Sequence, residues 1–243
     1  MKKVALITGA NKGIGLETAR QLGKKDMVVL IGARSLDKAN KAVEELANEN
    51  IEAKAVQLDV TKNEDIQNVA KTIEQEYGHL DVLVNNAGII QGESFYGDST
   101  QEVAVADLQD TFNTNLFGVV NTTQQLLPLI KKSEAGRIVN LSSILGSLTM
   151  HGDEKSPIYG SKPFAYNASK AALNQFTVHL AASLKDTNIK VNSAHPGWVK
   201  TDMGGEQAPM DITMGAKTSV ALATLPDDGP TGKYMHLGEE LPW

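Results

Sequence analysis

Short apolar runs alternate along the whole chain with longer stretches in which apolar residues return every three or four positions. The short runs read as strands at 4–7, 27–31, 53–58, 80–85, 137–141, 190–194 and 233–237, and the stretches between them as helices. This alternation predicts the α/β class: a doubly wound, parallel, seven-stranded sheet with helices on both faces. Several helix ends are legible. Ser35 is placed to cap a helix that runs to about Asn48, Asp211 to cap the last one, and Thr61-Lys62-Asn63-Glu64 has the form of a capping box. Gly78 after Tyr77 reads as a C-terminal stop. Pro163 suits a helix start, where a missing N–H does no harm, and Leu173, Phe176, Leu180 and Leu184 continue that helix as an apolar stripe.

At 243 residues the chain can bury one substantial core, and a single domain spanning 1–243 is expected. The net charge is −6 and the basic residues are scattered, which argues against nucleic acid or an anionic membrane as partner. The absence of cysteine excludes disulfides, thiolate metal sites and a cysteine nucleophile. Histidines at 79, 151, 179, 195 and 236 lack metal-ligand spacing, so no metal site is expected. His195, just before Pro196, reads as a structural histidine. The apolar run after Lys2-Lys3 is too short for a signal core, and no stretch is long enough to span a bilayer, so a cytoplasmic protein is expected.

The first strand leads into Thr8-Gly9-Ala10-Asn11-Lys12-Gly13-Ile14-Gly15, and a helical pattern follows in Leu16, Ala19 and Leu22. A glycine-rich turn between strand and helix brings backbone N–H groups and the positive end of the helix dipole to a pyrophosphate. The Gly-x3-Gly-x-Gly spacing differs from the common dinucleotide fingerprint and from the P-loop, yet its place after the first strand points to nucleotide binding. Residues about 20 positions beyond the last glycine read the adenosine ribose. Leu30-Ile31-Gly32-Ala33-Arg34 stands there with no carboxylate before Asp37, which is better placed as a first-turn helix acid. Lys12 adds a second positive charge. NADP(H) is therefore expected in preference to NAD(H).

Tyr166-Asn167-Ala168-Ser169-Lys170 puts a phenol and an ammonium one helical turn apart. A fixed cation favours the phenolate and moves its pKa down towards the working range, so such a pair can give a proton to a carbonyl oxygen or take one from an alcohol. Asn85-Asn86-Ala87-Gly88 and Asn140-Leu141-Ser142-Ser143 end the fourth and fifth strands. The carboxyl edge of such a sheet is where ligands bind, and Ser143 falls on the side expected for Tyr166. A second pair, Tyr159 and Lys162, lies before Pro163, which argues against a helix through it.

These motifs in this order resemble the short-chain dehydrogenase/reductase family, and most closely its NADPH-dependent carbonyl reductases. The resemblance rests on Thr8-Gly9-x3-Gly13-x-Gly15, Asp59-Val60, Asn86-Ala87-Gly88, Asn115, Ser143, Tyr166-x3-Lys170 and Pro196-Gly197-x3-Thr201. It implies a Rossmann-type fold in which Ser143 holds the substrate oxygen and Tyr166 is the acid/base. It also implies that Lys170 binds the nicotinamide ribose and lowers the tyrosine pKa, while Asn115 helps position a water in the proton relay. By the same resemblance the cofactor would meet Gly9, Asn11, Lys12, Gly13, Ile14, Gly15 and Arg34. Asp59 and Val60 would flank adenine, and Asn86, Ala87 and Gly88 would line the cofactor with Tyr166 and Lys170. Pro196, Gly197, Val199 and Thr201 would stand at its nicotinamide and phosphate end. The implied reaction passes hydride between the cofactor and a carbonyl carbon while Tyr166 protonates the developing alkoxide.

Two features depart from the family pattern. Ser143 and Tyr166 lie 23 positions apart, which marks an insertion; some members with a longer insertion are monomeric, so monomer and homodimer both stay open. Arg34 also stands one position later than the usual NADP-binding basic residue. Substrate contacts are expected from three loops, 90–96, 145–165 and 198–214, which carry Phe95, Tyr96, Met150, His151, Phe164, Trp198, Met203, Met210 and Met214 beside Ser143 and Tyr166. Gly204-Gly205 suits a lid hinge. Pro242-Trp243 fits either packing back on the body or covering a neighbour. Apolar loops admit aldehydes, ketones, quinones or steroids. Two further readings share parts of the pattern: a nucleotide-sugar epimerase, which needs a larger C-terminal substrate region, and a sensor or scaffold that binds NADP(H) without turnover.

Overall fold

In the computed structural model, which describes residues 2–90 and 100–243, the first half of the chain alternates strand and helix. β1 (Val4–Thr8), α1 (Gly13–Gly23), β2 (Val28–Ala33), α2 (Leu36–Ala47), β3 (Ala53–Gln57), α3 (Asn63–Glu76) and β4 (Val82–Asn85) follow one another. The chain then builds α4 (Val105–Phe112), a π turn (Asn113–Phe117), α5 (Gly118–Ile130) and β5 (Arg137–Leu141). A 3-10 turn (Ile144–Gly146), α6 (Leu148–His151), α7 (Phe164–Ser183), β6 (Lys190–Ala194), α8 (Ile212–Ala223), β7 (Tyr234–His236) and β8 (Glu239–Glu240) complete it. The strands form one sheet in the order β3-β2-β1-β4-β5-β6-β7-β8. All neighbours are parallel except β7 and β8.

Alternate residues of the apolar strands feed two cores. Ala5, Ile7, Val29, Ile31 and Val84 pack with α1, α2 and α8 on one face. Val4, Leu6, Leu30, Leu83 and Ile138 pack with α3, α5 and α7 on the other. Burying one such side chain is worth about 1.5–3 kcal/mol, whereas an exposed ion pair such as Lys132–Glu74 contributes about 0–1 kcal/mol. The two apolar layers therefore hold the sheet and its helices in place. The strand order reverses between β1 and β4, which opens a crevice at the carboxyl edge of the sheet.

Several expectations meet their elements directly. β5 and β6 have the expected bounds, and the Ser35 and Asp211 side chains accept from the backbone N–H of Lys38 and Met214. Gly78, at φ +75°, ends α3 with its N–H on the carbonyls of Ile73 and Glu74. Others are corrected. The sheet has eight strands rather than seven: β8 is an exposed, charged two-residue strand that returns antiparallel through Leu237 and Gly238, both at positive φ, and it has no apolar pattern to announce it. The capping box does not form, because the Thr61 hydroxyl donates to the Asp59 carboxylate at 2.7 Å and α3 begins after Lys62 without a side-chain cap. The segment 145–165 is not all loop, since it contains α6. Phe95 and Tyr96 lie outside the described residues.

Candidate active site

The glycine loop after β1 is held from behind. The Thr8 hydroxyl accepts from the N–H groups of Asn86 and Ala87, and the Asn86 amide donates to the carbonyls of Thr8 and Gly9 at 2.8 and 3.2 Å. Gly9 and Gly13 sit at φ +64° and +58°, where side-chain-bearing residues are strained. The loop feeds α1, whose N-cap Lys12 supplies no capping side chain and whose first turn carries no acid. The helix N-terminus is thus left for an anion from outside, unlike α2 and α8 with their own caps.

That N-terminus opens on a cleft of about 1830 Å³, larger than the ~300–1,000 Å³ of a pocket for one small ligand. Gly9, Asn11, Lys12, Gly13, Ile14, Gly15, Arg34, Asp59, Val60, Asn86, Ala87, Gly88, Thr201 and Met203 line it. Arg34 is exposed at the end of β2 and has no ion pair among the described residues, while Lys12 pairs with Asp202 of the opposite loop. That loop is knitted by its own bonds: Trp198 Nε1 donates to the Gly204 carbonyl at 2.7 Å, Gly204 N–H to the Thr201 hydroxyl at 3.0 Å, and Val199 bridges to Met210. The Val199 side chain is buried towards Gly215, so Val199 presents backbone to its surroundings rather than side chain. Pro196 and Gly197 follow β6, and Gly197, at φ +88°, lies tight against Met210.

Tyr166 and Lys170, in the first two turns of α7, are buried beside this cleft. Lys170 Nζ donates to the Leu141 carbonyl at 2.7 Å and lies 5.6 Å from the centre of the Tyr166 ring. Ser143, after β5, has its hydroxyl close enough to the Tyr166 phenol to lower its pKa, and its oxygen accepts from Leu145 N–H at 3.3 Å. Gly146 makes this approach possible. A Cβ there would sit 2.8 Å from the Lys170 carbonyl carbon, so only glycine lets the turn lie this close to α7. The pair of hydroxyls can donate two hydrogen bonds to a single oxygen.

The electrostatics differ from the sequence expectation. Burial pushes the Tyr166 phenol up to about 12, with the Ser143 hydroxyl working against it, and pushes Lys170 down to about 8. Spacing announced the cation but not the desolvation, which outweighs it here. Tyr166 is therefore a protonated phenol at neutral pH. The Asn115 side chain forms a two-way bond with the backbone of Ile89, both at 2.8 Å, and donates to Ser169 Oγ at 3.0 Å. Ser169 in turn donates to the Tyr166 carbonyl at 2.7 Å. Asn115 stands on the π turn, the kind of helix irregularity that gathers at functional sites.

Sequence reasoning passed over Ser169 and read His195 only as structural. His195 Nδ1 accepts from Ile144 N–H at 3.1 Å, which fixes the residue next to Ser143, and burial beside His236 holds the imidazole down at about 3, hence neutral. No spacing along the chain links these residues. Of the residues expected near substrate, Trp198 and Met203 are exposed on the loop opposite the glycine turn. Met150 is half-buried on α6, and both ring nitrogens of His151 are engaged, by Leu145 and Lys162 within the insertion and by Asn167 of α7. The Tyr159–Lys162 pair forms a cation–π contact at 4.3 Å outside any helix.

Among the described residues no group of His, Asp and Glu is arranged to hold a metal, and no helix is long and apolar enough to cross a membrane. The sequence model of one family, short chain dehydrogenase, matches residues 3–211. Carbonyl reductase [NADPH] 1 of Mus musculus is 32% identical over 280 residues, covering 100% of this chain and 99% of that protein. Among solved structures, an NADPH-bound carbonyl reductase from chicken fatty liver superposes with a TM-score of 0.86 at 26% identity, covering 100% of this chain and 99% of that one. Salutaridine reductase from Papaver somniferum gives 0.82 at 30% identity, covering 96% and 99%.

Proposed function

Because the chain belongs to the short-chain dehydrogenase family, we propose that it is an NADP(H)-dependent oxidoreductase that interconverts an aldehyde, ketone or quinone and its alcohol, with Tyr166 as acid and base. The observation that carries this reading is the buried cluster of Ser143, Tyr166 and Lys170 beside a long cleft that also takes in an uncapped helix N-terminus. Gly9, Asn11, Gly13, Ile14 and Gly15 would hold the pyrophosphate, and Asp59 and Val60 the adenine. Lys12 and Arg34 would hold a 2′-phosphate; the end of β2 offers no carboxylate to a free 2′-hydroxyl. Asn86, Ala87, Gly88, Lys170, Pro196, Gly197, Val199 and Thr201 would surround the nicotinamide half.

When bound, the reduced nicotinamide supplies hydride to a carbonyl carbon. Ser143 donates a hydrogen bond to the carbonyl oxygen, and Tyr166 transfers its proton to that oxygen as negative charge gathers there. A phenol held near 12 keeps its proton at neutral pH and still gives it up to an alkoxide. Asn115 and Ser169 hold the start of α7 against Ile89 and so fix where the phenol points.

The test is NADPH consumption by the purified protein across aldehydes, diketones and quinones, with NADH in parallel. Tyr166→Phe is expected to lower kcat by about 10²–10⁴-fold with NADPH affinity unchanged. Full turnover in the variant would overturn the role of Tyr166. Tight NADPH binding with no turnover on any carbonyl would favour a sensor instead, and absence of binding would overturn the whole reading.

A further inference from the structure

One set of contacts beside the site takes no part in holding cofactor or proton. Tyr234, the first residue of β7, is fully buried. It lies in register with Ser193 of β6, whose hydroxyl meets Thr177 of α7, so the Tyr234 side chain lies on the α7 face of the sheet. Its hydroxyl is beside Ser142 and close enough to Tyr166 for the two phenols to interact, yet neither it nor the Ser142 oxygen has a well-formed hydrogen bond. On its ring stacks Trp243, with centres 5.5 Å apart and planes at 20°. The Leu241 N–H donates to the Tyr234 carbonyl at 2.7 Å and holds the intervening chain against β7.

Trp243 then reaches the insertion. Its backbone carbonyl accepts from Thr149 N–H at 2.9 Å, in the middle of α6. The same short helix is tied to the Ser143 turn by the buried Ser147, whose hydroxyl accepts from Met150 N–H at 3.2 Å, and by His151 on the Leu145 carbonyl at 3.0 Å. Contacts thus run from Tyr234, through Trp243, to the helix that follows Ser143. A four-residue helix has little cooperative stability of its own, so its position depends on these anchors. Its Leu148 is an apolar side chain 74% exposed.

We propose that Trp243, braced on Tyr234, is a specificity-determining positioning residue that sets where α6 stands beside Ser143 and Tyr166, and hence how bulky a carbonyl compound is accepted. This rests on the carbonyl reductase reading above. It predicts that loosening the brace alters the ranking of substrates by size rather than the proton transfer itself.

The experiment compares wild type with Trp243→Ala and Trp243→Phe by two measurements. Hydrogen exchange of residues 147–152 is expected to rise at least about tenfold in Trp243→Ala and to stay near wild type in Trp243→Phe, which keeps an aromatic face on Tyr234, with exchange in β1 and β4 unchanged in both. In steady-state kinetics with NADPH, the KM of a bulky cyclic ketone relative to that of a small aldehyde is expected to change at least about fivefold in Trp243→Ala alone, with kcat for the small aldehyde within about twofold. Unchanged exchange in 147–152 overturns the brace. Raised exchange with the same KM ratio overturns the specificity role. If the wild type reduces no carbonyl, the activity reading falls, and exchange still decides whether Trp243 holds α6.

Discussion

Gly146→Ala isolates the contact that brings the Ser143 turn to α7. The added methyl would lie 2.8 Å from the Lys170 carbonyl carbon, 2.9 Å from Lys170 Cβ and 3.0 Å from Ala171 N, none of which is the free end of a flexible side chain. Gly146 is buried and its φ is not positive, so alanine meets no conformational penalty and the effect comes from crowding alone. Overpacking of this kind costs about 1–3 kcal/mol, and each kcal/mol lowers Tm by about 2–4 °C in a protein of this size. Relief requires the turn to withdraw by several tenths of an ångström or more, and Ser143 moves with it. A displacement of about 1 Å at a reacting group costs on the order of 10²-fold, so kcat is expected to fall by about 10–100-fold while NADPH affinity holds. The assay pairs urea unfolding with NADPH-coupled turnover. Gly160→Ala, in the same insertion with nothing within 4 Å of its new methyl, is the control and is expected to stay within about 0.5 kcal/mol of wild type. Wild-type stability and kcat in Gly146→Ala would refute the reasoning, because the turn would then tolerate a methyl without moving Ser143.

Two other outcomes follow from the charges. Arg34→Ala is expected to weaken NADPH about 10–100-fold, the loss of one charged hydrogen-bonding group on a phosphate, and to leave NADH binding unchanged; isothermal titration with both cofactors checks it, and equal losses would place Arg34 away from the 2′-phosphate. Lys170→Met removes a buried ammonium whose pKa falls from 10.5 to about 8, a penalty of about 3 kcal/mol. Because the unfolded lysine holds its proton more tightly, the penalty is complete below about pH 8 and fades as pH rises towards 10.5. Urea midpoints should therefore show wild type gaining on the methionine variant between pH 7 and pH 10, and parallel pH profiles would contradict the burial argument.

Period and punctuation carried most of the fold. β5 and β6 are bounded where their apolar runs begin and end, and Ser35, Asp211 and Gly78 cap helices because their roles are set within three or four residues of chain. The same locality misled at Thr61, where Asp59, two residues back, competes for the hydroxyl that a capping box needs. The exposed pair that makes β8 has no pattern to read, and the π turn at Asn115 leaves no mark on the period of its helix. At the site, the motifs named residues that the fold does bring together, Ser143 with Tyr166 and Lys170 with Tyr166. What stayed hidden lies across the chain: the grip of Asn115 on Ile89, of His195 on Ile144 and of Trp243 on Thr149. Each joins distant segments, which neither composition nor spacing encodes.

Burial also changes what the Tyr166–Lys170 pair means. The sequence suggests a cation that lowers a phenol; the structure holds the phenol near 12 and the ammonium near 8, both displaced by desolvation. In that order Lys170 loses its proton long before Tyr166 does, so above pH 8 the cation that should favour the phenolate is itself disappearing. The pair can run the other way, with Tyr166 as base towards an alcohol, only if something keeps Lys170 charged. A negative charge brought into the adjacent cleft does that, raising the lysine and through it lowering the phenol. Gly88 stands between the cleft and Lys170, with its Cβ position 3.6 Å from the ammonium, so little bulk separates an anion there from the lysine. On this argument the protonation state of the site is coupled to an anionic ligand in the cleft, which is what makes proton acceptance accessible near neutral pH.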